Sequence, residues 1–449
     1  MIRLIQIMTL TFLSSINLCA QESENLKLMM SLLNPDEDAQ LTAAIALAEK
    51  HDISLAAAFI DVLYFKKLSD ESFEQLKKLT HRRFDKKWPK WMEWLGQQDI
   101  KNSLDYMNFK RFMLSTVDPQ FSSFLNPRFP SHIRWDEIVW GGAEKDGIPA
   151  LDNPLMIKAE AASYVDDNES VFGLAVNGEF HAYPLRIFNW HEMINIEIGG
   201  KSVSISYCTL CGAAIPFDTK VDGRVFTFGS SGLLYRSNKL MYDRQTNSLW
   251  SAFEGKPVTG LMAQQDVKLK TYPIVRTSWQ EWKTKHPKTL VLDINTGHTR
   301  NYGRFGGPYN AYFRSPRTMF PISWRDYKLE AKEWVYGIHV KGKSKAYPIK
   351  LFEENQLIQD SFGGINFVFI GNEDELTVRV YQAEDQYFSM TMEGVLKDQS
   401  GKNWKVYEDS LVTDDHSKKL NRYPGHLAYW FAWYQFFMDT DVYEARENN

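Results

Sequence analysis

Cysteine is scarce in this chain. Only three of its 449 residues are cysteines, at Cys19, Cys208 and Cys211. So few thiols cannot form a framework of structural disulfides, and packing must stabilise the fold instead. Aromatic residues, in contrast, make up 14% of the chain and include 14 tryptophans, a composition that predicts large and well-filled cores.

The chain also lacks an excess of charge of one sign. Its 52 Lys and Arg residues oppose 56 Asp and Glu residues, and the formal net charge is -4. This balance gives no electrostatic case for nucleic-acid binding. Beyond the N-terminal segment, no stretch is long and apolar enough to span a bilayer. We therefore expect no transmembrane span in the mature chain.

Residues 1–20 have the pattern of a signal peptide. Arg3 supplies the positive charge, residues 4–18 are mostly apolar, and Ala20 precedes a polar run. We predict cleavage after Ala20 and export to the periplasm or another extracytoplasmic compartment. The alternative is a lipid anchor at Cys19, although Leu18 is bulky where a small residue is expected.

The two cysteines of the mature chain lie three positions apart, at Cys208 and Cys211. A disulfide between them would close a loop of about four residues and stabilise the fold by only about 2 kcal/mol. Redox chemistry or metal binding is a better reason for such a pair. Three interpretations stay open: a soft-metal site for zinc or copper, a thiol–disulfide redox pair, and an inert disulfide.

The residues around the pair predict a strand, a tight turn and another strand. This is the shape of a metal knuckle, in which backbone N–H groups point at the sulfurs. A closed zinc site needs two more ligands, which would be His, Asp or Glu because no second cysteine pair exists. A c-type haem site is excluded, since Gly212 and not histidine follows Cys211.

Residues 21–125 predict a series of amphipathic helices. Apolar residues recur at helical spacing, and Ser69 is placed to cap a helix that runs to Leu79. Short helices in series resemble a HEAT-like array, with a plain bundle as the alternative. We interpret this region as a docking module for a partner protein.

An internal repeat organises the rest of the chain. Residues 171–200 align without a gap with residues 335–364, and eleven of the thirty positions are identical. Gly, Pro and Asn punctuate short runs rich in Val, Ile, Phe and Tyr, which indicates strands and turns. The fold class is thus α+β: an all-α region, then a β-rich region with two related lobes at 126–310 and 311–449.

The repeat separates skeletal positions from chemical ones. Both copies keep the glycines, the tyrosine and the proline that shape the backbone. The chemical positions differ, and the residues of the first copy with their second-copy counterparts are His191 and Asn355, Glu192 and Gln356, Cys208 and Asn372, Cys211 and Glu375. This asymmetry favours one reactive site, in the first lobe.

Further residues are candidates for that site. His191 would be a third metal ligand or a base near the thiols, and Asp243 would orient it. Met241 supplies a thioether, which with two thiolates and an imidazole would suit copper better than zinc. Arg244 would form a local ion pair with Asp243. Core packing is the alternative for Met241, and a hydrogen-bonded core histidine is the alternative for His191.

Two other segments complete the candidates. Residues 228–235 form a Gly/Ser stretch around Ser230, which predicts a tight turn or a loop that presents N–H groups to an anion or a sulfur. His181 is expected to be exposed on a hairpin. Residues 429–437 are apolar nearly all round and predict a buried C-terminal helix.

An ordered series of motifs resembles the bacterial family called domain of unknown function 3179, over residues 140–440. The motifs are Ala182-Tyr183-Pro184, Asn189-Trp190-His191-Glu192, Tyr207-Cys208, Cys211-Gly212, Met241-Tyr242-Asp243-Arg244, Leu249-Trp250, Thr277-Ser278-Trp279 and Trp430-Phe431-Ala432-Trp433. Thr209 departs from the family, which often has proline there. The resemblance implies an exported or membrane-associated bacterial protein and leaves its reaction open.

These observations predict an exported two-lobed protein with a soft-metal site centred on Cys208 and Cys211. His191 would assist the cysteines, and Asp243, Arg244, Met241, Glu192 and Ser230 would support them. The alternatives are a thiol–disulfide redox protein and a non-enzymatic binding or scaffold module.

Overall fold

A computed structural model describes residues 23–303 and 307–444. The chain divides into two compact units between Met113 and Leu114. The predicted signal peptide and Cys19 lie outside the described residues. Among the described residues, no helix combines the length and the apolar character needed to cross a membrane.

The first unit is helical, as predicted. Its helices are α1 (Glu24–Ser31), α2 (Glu37–Ala48), α3 (Ala56–Tyr64), α4 (Asp70–Thr80), α5 (Trp88–Gly96) and α6 (Leu104–Ser115). The side chain of Ser69 accepts a hydrogen bond from the backbone N–H of Ser72 and so caps α4. The more specific likeness to a HEAT array stays a prediction.

The second unit is rich in strands and begins with the short helix α7 (Phe121–Phe124). The strands up to residue 310 are β1 (Ile138–Trp140), β2 (Leu151–Asp152), β3 (Met156–Lys158), β4 (Ser170–Val176), β5 (Glu179–Pro184), β6 (Met193–Ile198), β7 (Lys201–Cys208), β8 (Ala213–Asp218), β9 (Lys220–Val221), β10 (Arg224–Val225), β11 (Phe228–Tyr235), β12 (Asn238–Asp243), β13 (Leu249–Ser251), β14 (Lys256–Thr259), β15 (Ile274–Ser278) and β16 (Leu290–Leu292). Helices α8 (Leu185–His191) and α9 (Trp279–Lys285) interrupt them.

The part from residue 311 onward is also rich in strands. Its strands are β17 (Trp334–Val340), β18 (Lys343–Pro348), β19 (Leu357–Phe362), β20 (Ile365–Asn372), β21 (Thr377–Gln382), β22 (Phe388–Met390), β23 (Leu396–Asp398), β24 (Asn403–Val406), β25 (Ser410–Thr413), β26 (Lys419–Asn421), β27 (His426–Tyr429) and β28 (Asp441–Val442). Helix α10 (Asn310–Arg314) joins the two parts, and the predicted buried C-terminal helix is present as α11 (Trp430–Phe436).

Two sheets of the first part have the same strand order as two sheets of the second. The sheet β15-β4-β5-β16 has its counterpart in β27-β17-β18-β28, and the run β6-β7-β8 has its counterpart in β19-β20-β21. The registers also agree, since Val171 pairs with Pro184 and Val335 pairs with Pro348, 164 residues later in each case. This likeness supports two related lobes. Descent from one duplicated lobe, and the lobe bounds 126–310 and 311–449, stay predictions.

Two of the cores position the cysteine pair. One core lies in the first lobe and contains Phe172, Phe188, Ile205 and Tyr207, which leads directly to Cys208. The other is shared by both lobes, and its fully buried aromatic residues are Trp430 and Trp433 of α11. Cys208 and Cys211 belong to this second core. The pair therefore lies where the first lobe packs against the C-terminal helix.

Candidate functional site

The cysteine pair occupies the turn between β7 and β8, as the sequence predicts. The backbone N–H of Cys211 donates to the carbonyl oxygen of Cys208 across 3.1 Å, which closes the turn. Gly212 then has a φ of +68°, a conformation that glycine adopts without strain. A Cβ atom at Gly212 would also lie 2.3 Å from Cη2 of Trp334. Both the backbone and the packing therefore require glycine here.

Both thiols of the turn are free and buried. Cys208 is 4% exposed and Cys211 is fully buried. Burial raises the pKa of Cys211 well above its usual value, with the neighbouring Cys208 as a further cause. The side-chain amide of Asn238 donates to the Cys211 sulfur across 3.1 Å, while this thiol faces the carbonyl oxygen of Ser237 at 3.6 Å.

A buried pair of charged residues lies beside the thiols. The Nζ atom of Lys239 donates to the backbone oxygen of Glu192 across 2.7 Å and lies 3.8 Å from its carboxylate. Burial lowers the pKa of Lys239, while the charges of Glu192 and Cys208 act in the opposite direction. Lys239 is thus connected through Glu192 to Thr209, the residue that follows Cys208.

The Glu192 carboxylate connects the charged pair to the cysteine turn. The hydroxyl groups of Thr209 and Tyr309 each donate to its Oε1 atom across 2.8 Å. Tyr312, on α10, donates to the carbonyl oxygen of Leu210 across 2.6 Å. Tyr309 and Tyr312 therefore hold the connector between the lobes over the turn.

His191 does not take the place that the sequence predicts for it. The ring is fully buried, with Nδ1 bonded to the carbonyl oxygen of Pro149 and Nε2 bonded to the hydroxyl of Tyr302. Burial lowers its pKa to about 4, assisted by His298 and Arg300. Both ring nitrogens therefore have hydrogen-bond partners other than the thiols, which is the arrangement of a hydrogen-bonded core histidine.

The residues around Asp243 also have structural roles. Asp243 accepts hydrogen bonds from Thr246 and from the indole N–H of Trp250, so it does not orient His191. Arg244 pairs with Asp152 across 2.7 Å and not with Asp243. Met241 is fully buried in a core with Trp250, apart from the core that holds the cysteines. The predicted ion pair and the thioether ligand are therefore corrected.

Two local predictions also need correction. Ser230 lies on strand β11 and not on a loop, because it pairs with Met241 of strand β12. The register of β11 shifts between Ser230 and Leu234, and Gly232 there has a φ of +78°. His181 is 1% exposed and not surface-exposed, since its ring bonds to Glu179 and Tyr183.

The described residues do not fit a closed metal site. Among them, no group of three or more His, Cys, Asp or Glu side chains is arranged to hold a metal ion. Glu192, the carboxylate of this network, is engaged by Thr209, Tyr309 and Lys239. The ammonium group of Lys239 would also repel a cation.

The sequence alone does not mark Asn238 and Lys239 as residues of the cysteine site. Both lie on β12, about thirty residues after the cysteine turn, and only the tertiary fold brings them to the sulfurs. Their sequence context, Ser237-Asn238-Lys239, is that of an ordinary polar turn. Lys239 is only 4% exposed, and a buried lysine usually has a specific role. Its burial cannot be predicted from the sequence around it.

Residues 145–440 match a family model described as "Protein of unknown function (DUF3179)". The matched segment includes the cysteine turn, Glu192, Asn238 and Lys239, and helices α1–α6 precede it. No curated protein and no solved structure matches the chain. The resemblance inferred from the motifs is thus confirmed, and the family assigns no activity to this site.

Proposed function

We propose that this chain, which belongs to the DUF3179 family of proteins of unknown function, is a thiol–disulfide redox protein that reacts through Cys208 and Cys211. One observation carries the proposal: two free, buried thiols lie in one tight turn, an amide donates a hydrogen bond to one of them, and Thr209 between them is bonded to the buried Glu192–Lys239 pair. Paired thiols next to a cation are the environment in which a cysteine becomes a nucleophile.

The surroundings assign different roles to the two thiols. Cys208 retains 4% exposure and directly precedes Thr209, which is bonded to the Glu192–Lys239 pair, so we assign it the attack on an external disulfide. Cys211 is fully buried, and burial raises its pKa. It therefore suits the second, internal step, for which no external partner has to reach it.

The two steps balance without any further reagent. The Cys208 thiolate attacks one sulfur of a substrate disulfide, forms a mixed disulfide and releases the first substrate thiolate. The Cys211 thiolate then attacks the Cys208 sulfur, forms the internal disulfide and releases the second substrate thiolate. The two protons lost by the cysteines end on the two substrate thiols. The substrate disulfide is reduced and the protein dithiol is oxidised.

Access to Cys208 requires a local movement. Tyr309 and Tyr312 hold the connector over the turn through hydrogen bonds to Glu192 and to the Leu210 carbonyl. Withdrawal of these two side chains would free the Glu192 carboxylate and the Leu210 carbonyl at the turn. Gating by a short connector of this kind is a common way to control a buried site.

Export would place the cysteine pair in a compartment that contains disulfide substrates. The N-terminal segment predicts an extracytoplasmic location, where disulfides persist and a dithiol has disulfide substrates. A partner protein bound by helices α1–α6 would then be a candidate substrate.

The test uses the full chain with Cys19→Ser, so that only the pair contributes thiols. The protein is equilibrated in mixtures of reduced and oxidised glutathione, quenched by alkylation and analysed by intact mass. Zinc and copper are measured in the same samples. We expect two alkylated thiols in reducing mixtures and none in oxidising ones, with a reversible transition between them and no stoichiometric metal.

Other results would contradict the proposal in distinct ways. Thiols that stay reduced in every mixture exclude the redox function. About one equivalent of zinc or copper that is lost in Cys208→Ser would establish the soft-metal alternative. If neither a disulfide nor a metal is found, the pair is inert, and the scaffold alternative, with helices α1–α6 binding a partner, takes its place.

A further inference from the structure

The second lobe borders an open cavity of about 920 Å³ that is separate from the cysteine turn. Rings crowd one side of it. Phe253 stacks on Phe436 with centroids 5.0 Å apart, and Trp433 lies 4.4 Å from Phe437. Cavities of this size with aromatic walls are typical of small-molecule sites.

In the first lobe, the ring of Phe180 occupies the position that corresponds to this cavity. There, Ala175 lies opposite Phe180 on strands β4 and β5. The Phe180 ring stacks on His286, with centroids 4.2 Å apart and planes inclined by 15°, and also contacts Trp282. An internal aromatic ring thus occupies this side of the first lobe.

The tryptophans show that the two places correspond. The indole N–H of Trp282 donates to the Thr289 hydroxyl across 2.9 Å, and that of Trp433 donates to the Thr440 hydroxyl across 2.9 Å. Both residues of the second pair lie 151 positions after those of the first. By the same offset, Phe437 takes the place of His286.

The ring that corresponds to Phe180 is missing in the second lobe. Position 344 is a serine, which lies opposite His339 and borders the cavity. The His339 imidazole bonds to the Ser344 hydroxyl across 2.9 Å, and its centroid is 5.5 Å from that of Phe437 at an inclination of 33°. Phe437 therefore lacks the close, parallel partner that His286 has in the first lobe.

The charged side chains at the cavity determine which charge a planar ligand should carry. Lys256 and Lys268 line it, and after burial their charges are the causes that lower the pKa of His339. Burial lowers the pKa of His426 to about 3, so this ring, which also lines the cavity, is uncharged at pH 7. Lys343, Glu254, Asp439 and Asp441 also border the cavity. The charges that act on the His339 ring are those of Lys268 and Lys256.

We propose that this cavity binds a small planar aromatic anion, whose ring stacks on Phe437 in the place that Phe180 fills in the first lobe. Its acidic group would face Lys256 and Lys268. This site is independent of the redox chemistry of Cys208 and Cys211.

The test is isothermal titration calorimetry on the full chain, with 2-naphthoate as the probe and 2-naphthylmethylammonium as its cationic counterpart. We expect one naphthoate site per chain and at least about ten-fold weaker binding of the cation. Absence of naphthoate binding, or equal binding of the two probes, would overturn the proposal.

Two kinds of variant locate the site. Ser344→Phe restores the ring of the first lobe and should weaken naphthoate binding by about ten-fold or more, whereas Ser344→Ala should leave it within about three-fold. The exposed pair Lys256→Gln/Lys268→Gln should weaken naphthoate and not the cation, and it tests the site even if Ser344→Phe does not fold. Wild-type affinity in the lysine variant would place the bound naphthoate elsewhere and refute the proposal.

Discussion

The side-chain amide of Asn238 donates a hydrogen bond to the sulfur of Cys211 across 3.1 Å. The next residue on the same strand, Lys239, donates to the backbone oxygen of Glu192, whose carboxylate accepts a hydrogen bond from Thr209 between the two cysteines. One strand end thus supplies a neutral donor to one sulfur and a cation to the network around the turn. This division of contacts is the physical basis for unequal reactivity of the two thiols.

Loss of the Asn238 amide should slow the internal step. Burial raises the pKa of Cys211, and the hydrogen bond from Asn238 lowers it in part. In Asn238→Ala we therefore expect disulfide closure at pH 7 to slow by about ten-fold, equivalent to about 1.4 kcal/mol. Stopped-flow oxidation by glutathione disulfide measures this rate. Asn403→Ala, which changes an exposed residue on strand β24, is the control, and an equal effect there would remove Asn238 from the site.

Removal of the Lys239 charge should affect Cys208 instead. Alkylation of Cys208 by iodoacetamide at pH 7 should slow by about ten-fold in Lys239→Met, because its thiolate loses a neighbouring cation. Lys201→Met changes an exposed lysine on the same strand as Cys208 and should have no effect. An unchanged rate in Lys239→Met would contradict the assignment of Cys208 as the nucleophile.

Lys239→Met should also destabilise the fold. It leaves the buried Glu192 carboxylate without its cation, and we expect the free energy of unfolding to fall by about 3 kcal/mol. The double variant Lys239→Met/Glu192→Gln should lose less, because it removes both charges. Urea denaturation of the two variants measures the difference. A double variant less stable than the single one would show that the pair does not act as a unit.

Gly212→Ala should destabilise the cysteine turn more than an ordinary turn glycine would. Alanine at this position would have to adopt a φ of +68°, and its Cβ atom would collide with the Trp334 ring. Gly178 has a φ of +83° in a hairpin turn with nothing near its Cβ position, so Gly178→Ala isolates the backbone cost. We expect losses of about 3 kcal/mol for Gly212→Ala and about 1 kcal/mol for Gly178→Ala in urea denaturation. Equal losses would show that the contact with Trp334 is unimportant.

His191 should make the protein less stable in mild acid. Burial lowers its pKa to about 4 in the folded protein, below the ordinary histidine value near 6.5. Between these values the unfolded chain binds more protons, so stability falls as the pH falls. Going from pH 7 to pH 5, this residue should cost about 2 kcal/mol. His191→Gln should flatten the dependence relative to wild type, whereas exposed His416→Asn should not. A wild-type slope in His191→Gln would refute a buried neutral imidazole.

Local pattern was sufficient to predict much of this architecture. The strand before Cys208, the turn and the strand after Gly212 follow from residue type alone, and so do the Ser69 cap and the C-terminal helix. The repeat also predicted matching hairpins, because positions such as Tyr183 and Tyr347 keep the same packing role in both lobes.

The failures have one physical cause, which is pairing between distant segments. The glycines around Ser230 suggest a turn, but Ser230 pairs with Met241 of β12 and its carbonyl oxygen accepts from the backbone N–H of Asp146. The position of His181 after a turn suggests exposure, yet β16 pairs alongside β5 and the ring is bonded and buried. Asn238 and Lys239 reach the thiols only through such pairing.

The most direct test of the redox proposal is to trap its intermediate with glutathione disulfide, in single-cysteine variants of the Cys19→Ser chain. In Cys211→Ser, the Cys208 thiolate should form a mixed disulfide that persists, because no second thiol resolves it. In Cys208→Ser, the buried Cys211 should react at least about ten-fold more slowly. Intact mass spectrometry detects the added glutathione. Equal reaction of the two variants, faster reaction of Cys208→Ser, or no reaction in either would contradict the proposal.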